Sequence, residues 1–174
     1  MPEGLDLSTF DAGYTGMLWN EYTAGERIDH LDGMTVEESE HMLGTRLYQN
    51  SARIHFNQHA AHATRFGRRV VYGGHVMSLA RALSWNGLAN AIRIAAINGG
   101  RHTAPIFAGD TIYAWSEVLE TIVLEGRRDI GALRLRTVAI KNRVAAGFPL
   151  KDVNDAYDPS VALDLDYTAL LPRR

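Results

Sequence analysis

The chain has 174 residues, with eighteen Lys and Arg against twenty Asp and Glu, and a formal net charge of −2. Such a length fits one domain of roughly 100–200 residues, and 46% hydrophobic residues exclude a disordered or collagen-like chain. The near-neutral balance excludes a dedicated nucleic-acid binder. No apolar run reaches the roughly 18 residues of a membrane helix, and the absence of cysteine closes disulfide and thiolate chemistry.

Residues 1–20 lack periodicity and carry Gly4, Gly13 and Gly16, which reads as an irregular N-terminal arm ahead of a single domain over 21–174. The acidic opening Met1-Pro2-Glu3-Gly4-Leu5-Asp6 has the wrong charge for a secretory leader, so a cytoplasmic location is expected. Arg27 to Met34 reads as a short strand broken at Asp32-Gly33. Thr35-Val36-Glu37-Glu38 has the pattern of a capping box, with a hydroxyl at the cap and Glu three residues on, and predicts a helix from Val36 to about Tyr48. Gln49 to Asn57 reads as a loop, and 58–66 as a short helix or turn ending at Gly67. After Gly73-Gly74, Val76, Leu79, Ala80 and Leu83 recur at helical spacing, with Met77, Ala82 and Trp85 on other faces. A helix apolar on most sides is a buried one.

The second half reads as β-structure. A strand is expected over Ala91–Ile97, and another over Ile106–Leu119, broken at Gly109-Asp110. Leu133, Leu135, Thr137 and Ala139 alternate with Arg134, Arg136, Val138 and Ile140; Val161, Leu163, Leu165 and Tyr167 alternate with Ala162, Asp164, Asp166 and Thr168. Gly99-Gly100 reads as a turn, Gly126 to Gly131 as a hairpin loop, and 141–160 as a long connection. Helices segregated from an antiparallel sheet define an α+β chain. One buried helix wrapped by a curved sheet, the hotdog arrangement, is compatible with this order.

Few residues here carry chemistry by spacing alone. His55, His59 and His62 are close in sequence but lack a supporting carboxylate pair, so no metal site is expected. Gly73-Gly74 opens the buried helix, whose first N–H groups are free to hold an anion; the Walker and Rossmann patterns are absent, as is a Gly-x-Ser-x-Gly elbow. His55 lies in a polar loop with Asn50 five residues upstream, and an imidazole exchanges protons near neutral pH.

The run Tyr48-Gln49-Asn50-Ser51-Ala52-Arg53-Ile54-His55-Phe56-Asn57, the stretch Phe66 to Ala80 with its Gly73-Gly74, and Ala104-Pro105-Ile106-Phe107-Ala108-Gly109-Asp110-Thr111 together resemble the MaoC-like dehydratase family. Asp29-His30-Leu31-Asp32-Gly33, Ala80 to Asn90 and Gly109 to Glu117 are similar to members of that family that hydrate mesaconyl-CoA. The resemblance implies a hotdog fold and addition of water to, or its elimination from, an α,β-unsaturated acyl-CoA thioester. It implies no separate cofactor, coenzyme A being part of the substrate. It makes His55 the general base, with Asn50 beside it, and Gly73 and Gly74 the donors to the thioester oxygen. Arg53, Asn57, Tyr72, His75 and Arg81 become candidates to bind substrate, Arg101 a further partner for a second carboxylate, and Arg68-Arg69 partners for the phosphates of coenzyme A.

The family pattern has Asp where this chain has Asn50 and Asn57, and an amide can orient water but not take its proton. Three readings follow: Asn50 positions water for His55, a carboxylate comes from elsewhere, or the chain is a non-catalytic acyl-CoA-binding or structural half of a two-chain enzyme. A thioesterase is a further reading, but it wants a carboxylate near the helix start, and Gly73-Gly74-His75 has none. Hotdog sites lie where two units meet, so the resemblance also implies a homodimer or a pairing with a second hotdog chain.

Overall fold

A computed structural model describes residues 4–7 and 16–174. Of the expected arm, residues 1–3 and 8–15, Gly13 among them, lie outside the described residues. The described part of the arm lies against the sheet. Leu5 and Leu7 pack on Ile130, Ala132 and Leu170, and Trp19, in a 3-10 turn over Trp19–Glu21, donates its indole N–H to Ala132 O at 2.9 Å.

Five antiparallel strands form one sheet: β1 (Arg27–Thr35), β2 (Arg93–His102), β3 (Thr111–Val123), β4 (Ile130–Lys141) and β5 (Val161–Pro172). Their order is β1-β3-β4-β5-β2, so the meander of β3, β4 and β5 is flanked by the two strands that precede it in the chain. The helices are α1 (Glu38–Leu47), α2 (Arg53–Phe56), α3 (Gln58–His62), α4 (Gly73–Leu83) and α5 (Trp85–Leu88). The central helix α4 buries Val76, Leu79, Ala80 and Leu83 against the inner face of the sheet, where Leu133, Leu135, Leu163, Leu165 and Tyr167 meet it. Alternation along β4 and β5 sends every second side chain to that face. Phe148 and Ala145 of the long connection cover the outer face over Trp115, Val138 and Ile140. Arg27 pins that cover by donating to the carbonyls of Phe148 and Ala145 at 2.7 and 2.8 Å while stacking on Trp115. This is the α+β hotdog arrangement that the resemblance implies.

Four local expectations change. The cap of α1 is Glu37, not Thr35; Glu40 reaches back to the Glu37 N–H at 3.4 Å, whereas the Thr35 hydroxyl ends β1 at 2.8 Å from that of Thr111. The stretch 49–57 is not all loop, because α2 forms inside it. Gly99-Gly100 is not a turn: both residues lie within β2, opposite Asp166 and Leu165 of β5. Strand β3 begins only at Thr111, and Ile106 is a buried anchor in the segment before it, with its carbonyl accepting from Val71 N–H at 2.8 Å. Among the described residues no helix is long and apolar enough to cross a membrane.

Candidate active site

The amino end of α4 carries the Gly73-Gly74 pair and is the candidate site. Tyr72 caps it in an extended conformation, and the first helical bond runs from His75 N–H to Tyr72 O at 2.9 Å. The N–H groups of Gly73 and Gly74 precede that bond, so they have no partner one turn back and carry the positive end of the helix dipole. As the neighbouring rings stand, neither position leaves room for a side chain. A Cβ on Gly73 would lie 2.5 Å from His102 Nε2, and one on Gly74 would lie 2.5 Å from the Tyr72 hydroxyl.

The two glycines border two different clefts. Gly73 lines a cleft of about 340 Å³ together with His55, Arg65, Val76, His102 and Ile106. Gly74 lines a more apolar cleft of about 480 Å³, with Tyr72, Met77, Arg81, Ile94 and Leu165 among its walls.

His55 is held by α2. Its Nδ1 lies 2.8 Å from Val70 O, and a carbonyl only accepts, so Nδ1 carries the proton. In the neutral ring that leaves Nε2 as the basic nitrogen. The ring also meets Tyr72 edge-on at 6.0 Å between centroids. His102, at the end of β2, shares the cleft; partial burial, and then the charge of nearby His55, lower its pKa. The sequence points to neighbouring Arg101 and not to His102. The link between His102 and Gly73 is made only by pairing β2 to β5, and no local signal announces it.

Other predicted residues are committed to local structure. Asn50 Oδ1 accepts from Ala52 N–H at 2.9 Å and thereby turns the chain into α2; it lines a depression with Met42 and Phe56 and not the His55 cleft. Asn57 Oδ1 caps α3 by accepting from Ala60 N–H at 2.9 Å. Arg53 is exposed at the start of α2. His75 is buried beside Glu40, at 3.5 Å, and burial lowers its pKa. Arg81 donates to Ser84 Oγ at 2.7 Å and to Ala91 O at 2.5 Å while its flank borders the apolar cleft. Arg69 is paired with Glu38, and Arg68 stacks on Phe107, 3.9 Å from the ring centre. Arg65, which no sequence pattern singles out, is the arginine that lines the His55 cleft. Among the described residues no carboxylate lines that cleft, and no cluster of three or more His, Asp or Glu side chains is arranged to hold a metal.

The MaoC like domain family matches residues 20–139. The chain is 59% identical over its whole length to β-methylmalyl-CoA dehydratase of Chloroflexus aurantiacus, covering 50% of that protein. It is 53% identical over 99% of its length to mesaconyl-CoA hydratase of Cereibacter sphaeroides, again covering 50% of it. The chain thus spans about half the length of the curated relatives it matches. Among solved structures, a MaoC domain protein of Chloroflexus aurantiacus superposes with a TM-score of 0.92 at 59% identity, over 98% of this chain and 49% of that one. A Mycobacterium tuberculosis protein with a double hotdog fold superposes with a TM-score of 0.68 at 22% identity, over 91% of this chain and 45% of that one, a likeness of fold. With the family match spanning well over half the chain, this chain belongs to the MaoC-like family.

Proposed function

We propose that the chain is a hydro-lyase that adds water to an α,β-unsaturated acyl-CoA thioester, or removes it from the β-hydroxyacyl form. The observation that carries this reading is the Gly73 N–H beside an imidazole whose free nitrogen is a base, in one cleft. As water attacks the β-carbon, negative charge moves onto the thioester oxygen. The N–H groups of Gly73 and Gly74 face developing charge there, and losing one such donor typically costs about 3 kcal/mol of barrier. His55 takes the proton of water and returns it to the leaving hydroxyl in reverse. Asn50 contributes by holding the turn that opens the His55 helix. Tyr72 and Arg81 border the apolar cleft that would receive the acyl group, and Arg65 is the cation nearest the reacting end. The chemistry needs no separate cofactor.

The names of the two curated relatives support mesaconyl-CoA as the substrate to try first, and a CoA ester goes with a cytoplasmic location. Relatives twice as long support a working unit of two hotdogs, such as a homodimer or a pairing with a second hotdog chain. The test is to mix the purified chain with mesaconyl-CoA or crotonyl-CoA, alone and with a candidate second hotdog chain, and to follow the enoyl-thioester absorbance. Turnover is expected, and His55→Ala should lose at least about a hundredfold of it with an unchanged melting temperature. Binding of acyl-CoA without turnover under every condition would mark a non-catalytic half and sink the reading.

A further inference from the structure

Hydration and dehydration each move two protons, one at the oxygen on the β-carbon and one at the α-carbon. A single imidazole fixed by its Nδ1 presents one nitrogen to the substrate. Of the described side chains that line the Gly73 cleft, only the imidazoles of His55 and His102 can both give and take a proton near neutral pH. Arg65 keeps its proton, and no carboxylate is among them. Asn50 lines a different depression, and its amide cannot take a proton.

We propose that His102 is the second proton-transfer group of this cleft, exchanging a proton with the α-carbon of the acyl thioester while His55 serves the oxygen at the β-carbon. The proposal rests on the hydro-lyase reading above and deepens it. Its geometry comes from the ring lying over Gly73, with Nε2 2.5 Å from where a Cβ would stand. That places the imidazole beside the N–H groups that face the thioester oxygen, and the α-carbon is bonded to the same carbonyl carbon as that oxygen. The backbone beneath it is fixed. His102 pairs with Leu163, and next to it Thr103 donates its N–H to Ala162 O at 3.0 Å and its hydroxyl to Val161 O at 2.6 Å. Partial burial and the neighbouring His55 keep His102 neutral more readily than a free histidine, the state a base requires.

In dehydration, the C–H bond at the α-carbon breaks and its proton goes to neutral His102. The electron pair passes through the enolate to form the double bond. The C–O bond at the β-carbon breaks, and protonated His55 gives its proton to the departing hydroxyl, which leaves as water. His102 ends protonated and His55 neutral, and solvent at the open cleft restores both. Hydration runs the same steps backwards.

The test separates the two imidazoles with a saturated thioester, butyryl-CoA in D2O, which has an α-hydrogen but nothing to eliminate. Deuterium uptake at the α-carbon, read by mass spectrometry, is set beside hydration of the enoyl thioester. His102→Phe and His102→Gln should each lose about a hundredfold or more of both reactions, with folding checked by thermal melting. His55→Ala should lose hydration while still exchanging the α-hydrogen. His102 variants that exchange and hydrate like the unaltered chain would overturn the proposal and leave the hydro-lyase reading standing. An unaltered chain that neither hydrates nor exchanges would overturn both.

Discussion

At the scale of the residue, the site depends on two missing side chains. Helix α4 would be better formed with alanine at its first positions, since alanine exceeds glycine by up to about 1 kcal/mol in helical preference. Yet a methyl group on Gly73 would meet the His102 ring at 2.5 Å. The ring is the free end of a side chain, so it swings away rather than breaking the fold. Gly73→Ala should therefore keep or raise the melting temperature while hydration falls by roughly a hundredfold, the usual effect of misplacing a reacting group by about 1 Å. Gly99→Ala is the control, because nothing lies within 4 Å of its added Cβ; its hydration rate should match that of the unaltered chain. His55 stands out in the sequence through the resemblance of its loop to the MaoC-like family; the loop pattern alone marks it only as a residue able to exchange protons. His102 is not, because its ring reaches Gly73 only through the pairing of β2 with a strand far along the chain, where Leu163 stands opposite it.

At the scale of the element, strands that line the core announce themselves by alternation, while the edge strand β2 is legible only in its first half, over Ala91–Ile97. Leu133 and Leu135 in β4, and Leu163, Leu165 and Tyr167 in β5, alternate because they line the core against α4. Strand β2 is largely exposed in the single chain, so no burial pattern marks Gly99-Gly100 as part of a strand. The start of α1 shifts for a similar reason: Glu37 replaces Thr35 as the cap because the Thr35 backbone is still paired with Thr111. A further element shows what an irregularity can hold. Inside α5, Asn86 and Gly87 leave helical geometry, with Gly87 at φ 98°, and the kink turns Asn86 O toward His30 Nδ1 at 2.6 Å. A Cβ on Gly87 would also run into Ile28. Gly87→Ala should cost about 1–3 kcal/mol of stability, read as a lower urea midpoint. A midpoint unchanged from that of the unaltered chain would show that the kink is slack.

At the scale of the whole molecule, buried histidines set the response to acid. Burial lowers the pKa of His30, His41 and His75, outweighing the pull of Glu40 on the last two. The unfolded chain therefore binds protons that the native one refuses, and stability is full above a pH of about 6.5 and falls as pH drops below it. Asp166, held low by Arg134, stays ionised through that window. The urea midpoint at pH 5 should lie below that at pH 7.5, and a flat profile would contradict the assignment. Assembly acts at the same scale. Ile92, Ile94 and Ile97 stand exposed on or beside β2, so Ile97→Lys should lower the solution mass if that edge is where a second hotdog joins, and leave it unchanged if it is not. The strand order has one more consequence, for synthesis. β1 pairs Arg27 with Glu117, and β2 pairs Arg93 with Leu170, so both outer strands wait for partners made much later. A ribosome that has released everything before β5 has released a helix with two of its five wall strands, β5 and the unpaired β2, not yet in place. Such long-range pairing folds slowly and leaves apolar edges bare meanwhile, which makes the 12 residues of β5 the ones that decide whether the nascent chain closes or is captured by chaperones.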